Sequence, residues 1–219
     1  MFSQINDYNE PNIDKMFNGY PVTMLGFYDE SDKGGYAHSY NVEYDKFTQD
    51  LEKLDKTLDF TFGYLMMVNS RKYLSDFVQR CIVETDTVKI HCQDKFWNGG
   101  KRDDLIPVDQ YYHEQQIAKY TLAPPATVID EVSTERIYDA LVRDCIPIFM
   151  KETNYKKVFK KDFCDFIENN LVFDETKFKT INDFIATLDY DSLLKQLKTV
   201  KSVNDLYSIT EDKVLAVFS

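Results

Sequence analysis

The sequence predicts an α/β fold built on a doubly wound parallel sheet, and three observations carry that expectation. From residue 58 onward, continuous apolar runs of strand length alternate with stretches whose apolar residues recur at helical spacing. The links between them are short, as parallel crossover units require. The final quarter reads as helical and is expected to cover the sheet. Residues 1–57 differ in texture, with Pro11, Gly19, Pro21, Gly26 and the pair Gly34-Gly35 between short apolar pieces. They are expected to form a short irregular N-terminal segment ahead of a domain spanning 58–219.

Taken in order, LDFTFGYLMMV (58–68) is a continuous apolar run, as in a strand buried on both faces. Leu74, Phe77, Val78, Cys81 and Ile82 then share one helical face, with Ser70 placed to cap it. TVKIHCQ (87–93) predicts a second strand, and DKFWNGGKRDDLIPVD (94–109) a loop holding the only Trp. YYHEQQIA (111–118) reads as a short helix, and KYTLAP (119–124) as a strand stopped by Pro124-Pro125, which lack the amide for a ladder. Ser133 or Thr134 can cap a helix with Ile137, Ala140 and Leu141 on one face, and CIPIFM (145–150) predicts another buried strand. FIENNLVF (166–173), NDFIATL (182–188) and SLLKQLKTV (192–200) are expected to be helical, the last with Leu193, Leu194, Leu197 and Val200 together.

With 219 residues, 43% of them apolar and 15% aromatic, the chain can enclose a real core. Its formal net charge of -11 repels nucleic acid and acidic membrane surfaces in the absence of a local basic patch. No apolar run approaches the roughly 20 residues of a spanning helix, and the N-terminus lacks the cationic start and apolar run of a signal peptide. A cytoplasmic location without membrane contact is the expectation. Abundant Lys, Asn, Asp, Tyr and Phe suit an AT-rich coding source, for example a viral one. Cys81, Cys92, Cys145 and Cys164 are widely spaced, and only His91 stands beside one of them. They read as reduced, buried thiols in preference to a metal site.

In a doubly wound sheet, ligands sit at the carboxyl ends of the strands, where helix N-termini offer free amides. The loop after KYTLAP is therefore the segment to weigh. There Ser133 and Thr134 offer hydroxyls, Glu135 a carboxylate suited to a ribose diol, and Arg136 a guanidinium suited to phosphate. The same residues also suit a capped helix with solvated first-turn charges. KYTLAPPATVIDEVSTERIYDALVRDCIPIFM (119–150) resembles the donor-site motif of exostosin-like and fucosyltransferase-like glycosyltransferases of the two-Rossmann (GT-B) class. FTFGYLMMVNSRKYLSDFV (60–78) is similar to the first strand and helix of the same Rossmann-like domain.

The resemblance implies the C-terminal, nucleotide-sugar-binding half of such an enzyme, with Ser133, Thr134, Glu135 and Arg136 in the donor motif and Arg71 or Lys72 at an upstream basic position. Asp139 and Arg143 are expected at the surface. Arg143-Asp144 departs from the small residue or Gly common in the family before Cys145, which leaves the local turn open. Residues 1–57 would be a vestigial or partial acceptor-side unit, where Asp29 and His38, near Glu30 and Asp32, are the candidates for acceptor proton transfer beside their plainer reading as turn residues. The Trp97 loop can close over a donor, with Trp97 stacking and Lys101 or Arg102 on phosphate, or simply be anchored by its Trp. Nothing in the sequence demands a metal.

The expected function is transfer of a sugar from a nucleotide-sugar donor to an acceptor hydroxyl on a glycan, a protein or, less readily, a nucleic acid. A non-catalytic nucleotide- or protein-binding module on the same fold is the alternative. A third arrangement borrows the acceptor side from a homo-oligomer or a partner subunit.

Overall fold

The strand β1 (Leu58–Met66) lies inside the sheet because both of its faces are covered. Its side chains alternate. Phe60 and Phe62 join one core with Leu74, Phe77 and Val78, whereas Thr61 and Gly63 meet the residues Glu114 and Tyr111. This computed structural model describes residues 54–66, 72–94, 97, 99–100, 102–124, 136–141, 143–153, 155 and 159–198.

After β1 come α1 (Lys72–Cys81), β2 (Val88–Asp94), the two-residue β3 (Arg102–Asp103), α2 (Val108–Ile117) and β4 (Ala118–Ala123). Then follow α3 (Arg136–Leu141), β5 (Ile146–Met150), α4 (Lys161–Asn170), β6 (Val172–Phe173), α5 (Ile181–Ile185) and α6 (Tyr190–Leu197). The six strands lie in the order β3-β2-β1-β4-β5-β6. All neighbours are parallel except β2 and β3. The chain winds outward from β1 to β2, crosses back through α2 to β4, and winds outward the other way to β6. The α/β class and the doubly wound order expected from the sequence are therefore present, with an antiparallel edge strand added.

That edge strand corrects the reading of 94–109 as loop alone. Two residues, Arg102 and Asp103, are too few to show a period, yet they pair with Asp94 and Gln93. FIENNLVF divides in the same way. Its helix stops at Asn170, and Val172 and Phe173 pair with Phe149 and Met150 of β5. The remaining helical expectations hold for the described residues, and Leu193 and Leu197 of α6 are buried in the main core. Val200 and Ser70 lie outside the described residues.

Arg143 is a second correction. It is buried, with its guanidinium 3.9 Å above the Tyr112 ring, because cation-π contact and burial of the stem outweigh exposure here. The turn after α3 resolves the departure noted at Arg143-Asp144. Cys145 N–H donates to Ala140 O at 2.9 Å and Asp144 N–H to Leu141 O at 3.2 Å, which is a Schellman termination. Its left-handed position is filled by Asp144 at φ 52°, a conformation that favours Gly and is open to Asp. Tyr190 O–H donates to Asp144 O at 2.7 Å, and Lys198 pairs with Asp144 at 3.0 Å, tying α6 to that turn.

Lys56 fastens the segment before β1 to the same end of the sheet. Its Nζ donates to Gln116 O at 2.8 Å and Arg143 O at 2.9 Å, at the carbonyl end of α2, where a cation is favoured. Burial still holds its pKa below the usual lysine value, against the opposing pull of Cys145 and Asp144. All four cysteines are free and buried. Burial pushes the Cys81 thiol up to about 11 and Cys145 up to about 12, so neither offers a thiolate at neutral pH. Among the described residues, no helix is long and apolar enough to cross a membrane.

Candidate ligand site

The strand order reverses between β1 and β4, which are direct neighbours, with Phe60 beside Tyr120 and Thr61 beside Thr121. A reversal of this kind leaves a crevice at the carboxyl ends of the two strands, because their following connections depart to opposite sides. In sequence, the exits of β1 and β4 are residues 67–71 and 125–135, the two segments that hold the candidate basic position and the candidate donor motif.

Arg71, Ser133, Thr134 and Glu135 lie outside the described residues, as do Asp29 and His38. Arg136 opens α3, the helix between β4 and β5. Lys72 opens α1 and pairs with Asp76 one turn on at 2.7 Å, both side chains being about half exposed. Among the described residues, no group of three or more His, Cys, Asp or Glu is arranged to hold a metal ion.

The Trp97 loop is committed to the sheet edge. Trp97 packs against the core, and the Arg102 guanidinium lies 4.8 Å from its ring centroid. Arg102 donates to both Glu84 carboxylate oxygens at 2.9 Å, to Asp104 at 2.8 Å and to Ile90 O at 2.8 Å. Asp104 in turn accepts from Cys92 N–H at 2.9 Å and donates its own N–H to Cys92 O at 3.1 Å. These contacts occupy polar groups along β2 that β3 is too short to pair. Arg102 is thus spent on the edge, in place of the phosphate role considered for it.

The Asp104 carboxyl is held below its usual range: its own burial pushes upward, and the hydrogen bonds from Arg102 and Cys92 N–H outweigh that push. Asp59 is also lowered, chiefly by the Thr87 hydroxyl and then by Lys119. Both groups contribute stability that is present above the unfolded carboxylate value and is lost as pH falls through their lower folded values. Stability should therefore fall below about pH 3.9. Arg102→Met should cost about 1–3 kcal/mol in urea unfolding at pH 7, a figure discounted for partly exposed carboxylates. It should also shrink the further loss between pH 4 and pH 3, and an unchanged acid limb would exclude this origin for the pH dependence.

Beneath α2 lies a polar layer that the sequence reading missed. Thr61 Oγ1 donates to Glu114 Oε2 at 3.1 Å, and His91 Nε2 lies 2.7 Å from the same oxygen. The His91 and Glu114 side chains are only 16% and 15% exposed. Next to them, Gln115 donates to the Tyr111 hydroxyl at 3.2 Å, which is 3.4 Å from Thr121 Oγ1. The available signal was compositional: Thr61 interrupts an apolar run, and α2 has no apolar stripe. Residues of this kind facing a sheet must satisfy one another.

Comparison with protein-family models, with curated proteins and with solved structures finds no match to this chain.

Proposed function

We propose that this chain is a Rossmann-like glycosyltransferase domain that binds a nucleoside diphosphate sugar at the carboxyl ends of β1 and β4 and transfers the sugar to an acceptor hydroxyl. The observation that supports it most is the reversal of strand order between those two strands, since Arg71 and Lys72 follow β1 in the chain and Ser133, Thr134, Glu135 and Arg136 follow β4. Glu135 would hold the ribose diol, and Ser133, Thr134 and Arg136 the diphosphate, with Arg71 or Lys72 contributing from the β1 side. Lys72 would have to exchange its Asp76 partner for phosphate. An exposed i,i+4 pair is worth only about 0.3–0.5 kcal/mol, so that exchange is inexpensive. Stabilising the departing diphosphate by these cations is the electrostatic part of the catalysis.

A thermal-shift series with UDP, GDP, CMP and ADP and their sugars tests the reading. A ligand at a hundred times its dissociation constant adds about 2.7 kcal/mol of stability. One series should stabilise the protein, and Glu135→Ala should abolish that shift while leaving the unliganded melting temperature in place. No shift with any series, or an undiminished shift in the variant, overturns the assignment.

A further inference from the structure

We infer that α2 is a hinged cover over the β1/β4 face, pinned near its carboxyl end by Lys56 and latched through Glu114, and that it lifts as a unit while the rest of the domain stays folded. The inference stands apart from the sugar-transfer reading. It starts from the unequal packing of the two faces of the sheet. On one face, α1 buries Leu74, Phe77, Val78 and Cys81 in a core with Phe60, Phe62 and Ile90. On the other face, α2 lies over β1 and β4, and of its residues 110–117 Gln115 alone is buried. The floor beneath α2 is polar as well, with Thr61 and Thr121 buried there. Separating apolar surfaces is opposed by the hydrophobic effect in proportion to area, whereas hydrogen-bonding groups on two separating surfaces exchange each other for water at a modest net cost.

The two ends of α2 are held unequally. Near its carboxyl end, Lys56 Nζ donates to Gln116 O at 2.8 Å and to Arg143 O at 2.9 Å, which ties that end to the turn after α3. The strand β4 begins at the next residue after the helix, Ala118. At the other end, Pro107 stands at the cap position and makes no side-chain hydrogen bond to the helix. Between the ends sits Glu114, whose Oε2 accepts from Thr61 Oγ1 at 3.1 Å and lies 2.7 Å from His91 Nε2. Three residues earlier, Tyr111 rests its ring on Gly63 and holds its hydroxyl 3.4 Å from Thr121 Oγ1. The closed arrangement also carries a penalty. Gln115 Oε1 is buried with no hydrogen-bond partner among the described residues, and lifting α2 hydrates it. An element held by few buried apolar side chains opens below the free energy of global unfolding.

Amide hydrogen exchange of the full chain in low urea, under conditions where the rate reports the opening equilibrium, tests the cover. Amides of residues 112–117 should exchange faster than those of β1 and α1, and their rates should rise less steeply with urea, because a partial opening exposes less surface. Two variants then separate a local opening from a global one. Ile185→Val trims the apolar core on the far face, where Ile185 of α5 is buried. It should speed exchange in β1 and α1 roughly 2- to 12-fold and leave residues 112–117 unchanged, since that core stays intact when α2 lifts. Glu114→Ala removes the latch and should speed exchange at 112–117 roughly 10- to 100-fold. Equal urea slopes in the wild type, or equal acceleration of α2 and β1 in Ile185→Val, would mean that α2 opens only with the whole domain. An unchanged α2 rate in Glu114→Ala would remove Glu114 as the latch. Any of these results overturns the inference.

Discussion

Phe173→Ala should lower the unfolding free energy by about 3–5 kcal/mol, the range for truncating a fully buried aromatic. Phe173 is 1% exposed although it belongs to a two-residue strand at the sheet edge. Its ring meets Phe77 of α1 edge-on at 5.8 Å and Phe184 of α5 at 6.0 Å, and Phe184 lies 5.1 Å from Phe178. Two helices, α1 far off in the sequence and α5 just downstream, thus lean on one side chain, so the cavity left by Ala cannot close by moving a single helix. Urea unfolding at constant pH measures the cost, with half-buried Val172→Ala as the neighbour expected to lose less. A loss below about 1 kcal/mol at Phe173, well under the range for a buried aromatic, would show that the edge strand contributes little to holding α1 and α5.

The elements that were legible in the sequence share a physical cause. β1, β4 and β5 are buried on both faces, so their apolar runs are continuous, and α1 packs one face, so Leu74, Phe77, Val78 and Cys81 repeat at helical spacing. β3 and β6 were not legible because a two-residue strand carries no period and exists only through its neighbour. Phe173 was read as part of a helix for that reason. Asp144 shows a different limit. Its sequence neighbours suggest a poor turn, yet the left-handed position is held by Cys145, Tyr190 and Lys198, which no local pattern announces.

The candidate site divides similarly. The location of a crevice follows from strand order, and the order of strands and helices along the chain was readable. The polar layer of Thr61, His91 and Glu114 was not, because its members come from β1, β2 and α2 and are separated by up to 53 residues. Arg143 was expected at the surface and is buried, and for Arg102 the sequence left a phosphate role open beside that of an anchored loop. An arginine declares its partners only in three dimensions: Arg143 stacks on Tyr112, and Arg102 links Glu84, Asp104 and the backbone of β2.

Gly63→Val should cost about 1–3 kcal/mol, the range for overfilling a packed site, and should also disturb the contacts of Glu114 with Thr61 and His91. The Tyr111 ring lies directly on Gly63, such that an added Cβ would stand 3.1 Å from two ring atoms and 3.4 Å from a third. Ala asks the ring to give by a few tenths of an ångström. The two methyls of Val ask for much more and meet a helix already tied to β1 through Glu114 and Thr61. Equilibrium unfolding of Gly63→Val, Tyr111→Ala and the double variant isolates the collision. If the Tyr111 ring is the obstacle, Gly63→Val should cost markedly less in the Tyr111→Ala background than in the wild type; equal costs would place the strain elsewhere. Glu114 sits three residues after Tyr111, on the same side of α2. Lifting that ring therefore lifts the carboxylate from Thr61 and His91, so Gly63→Val loses those contacts as well, whereas Gly63→Ala should leave most of the stability.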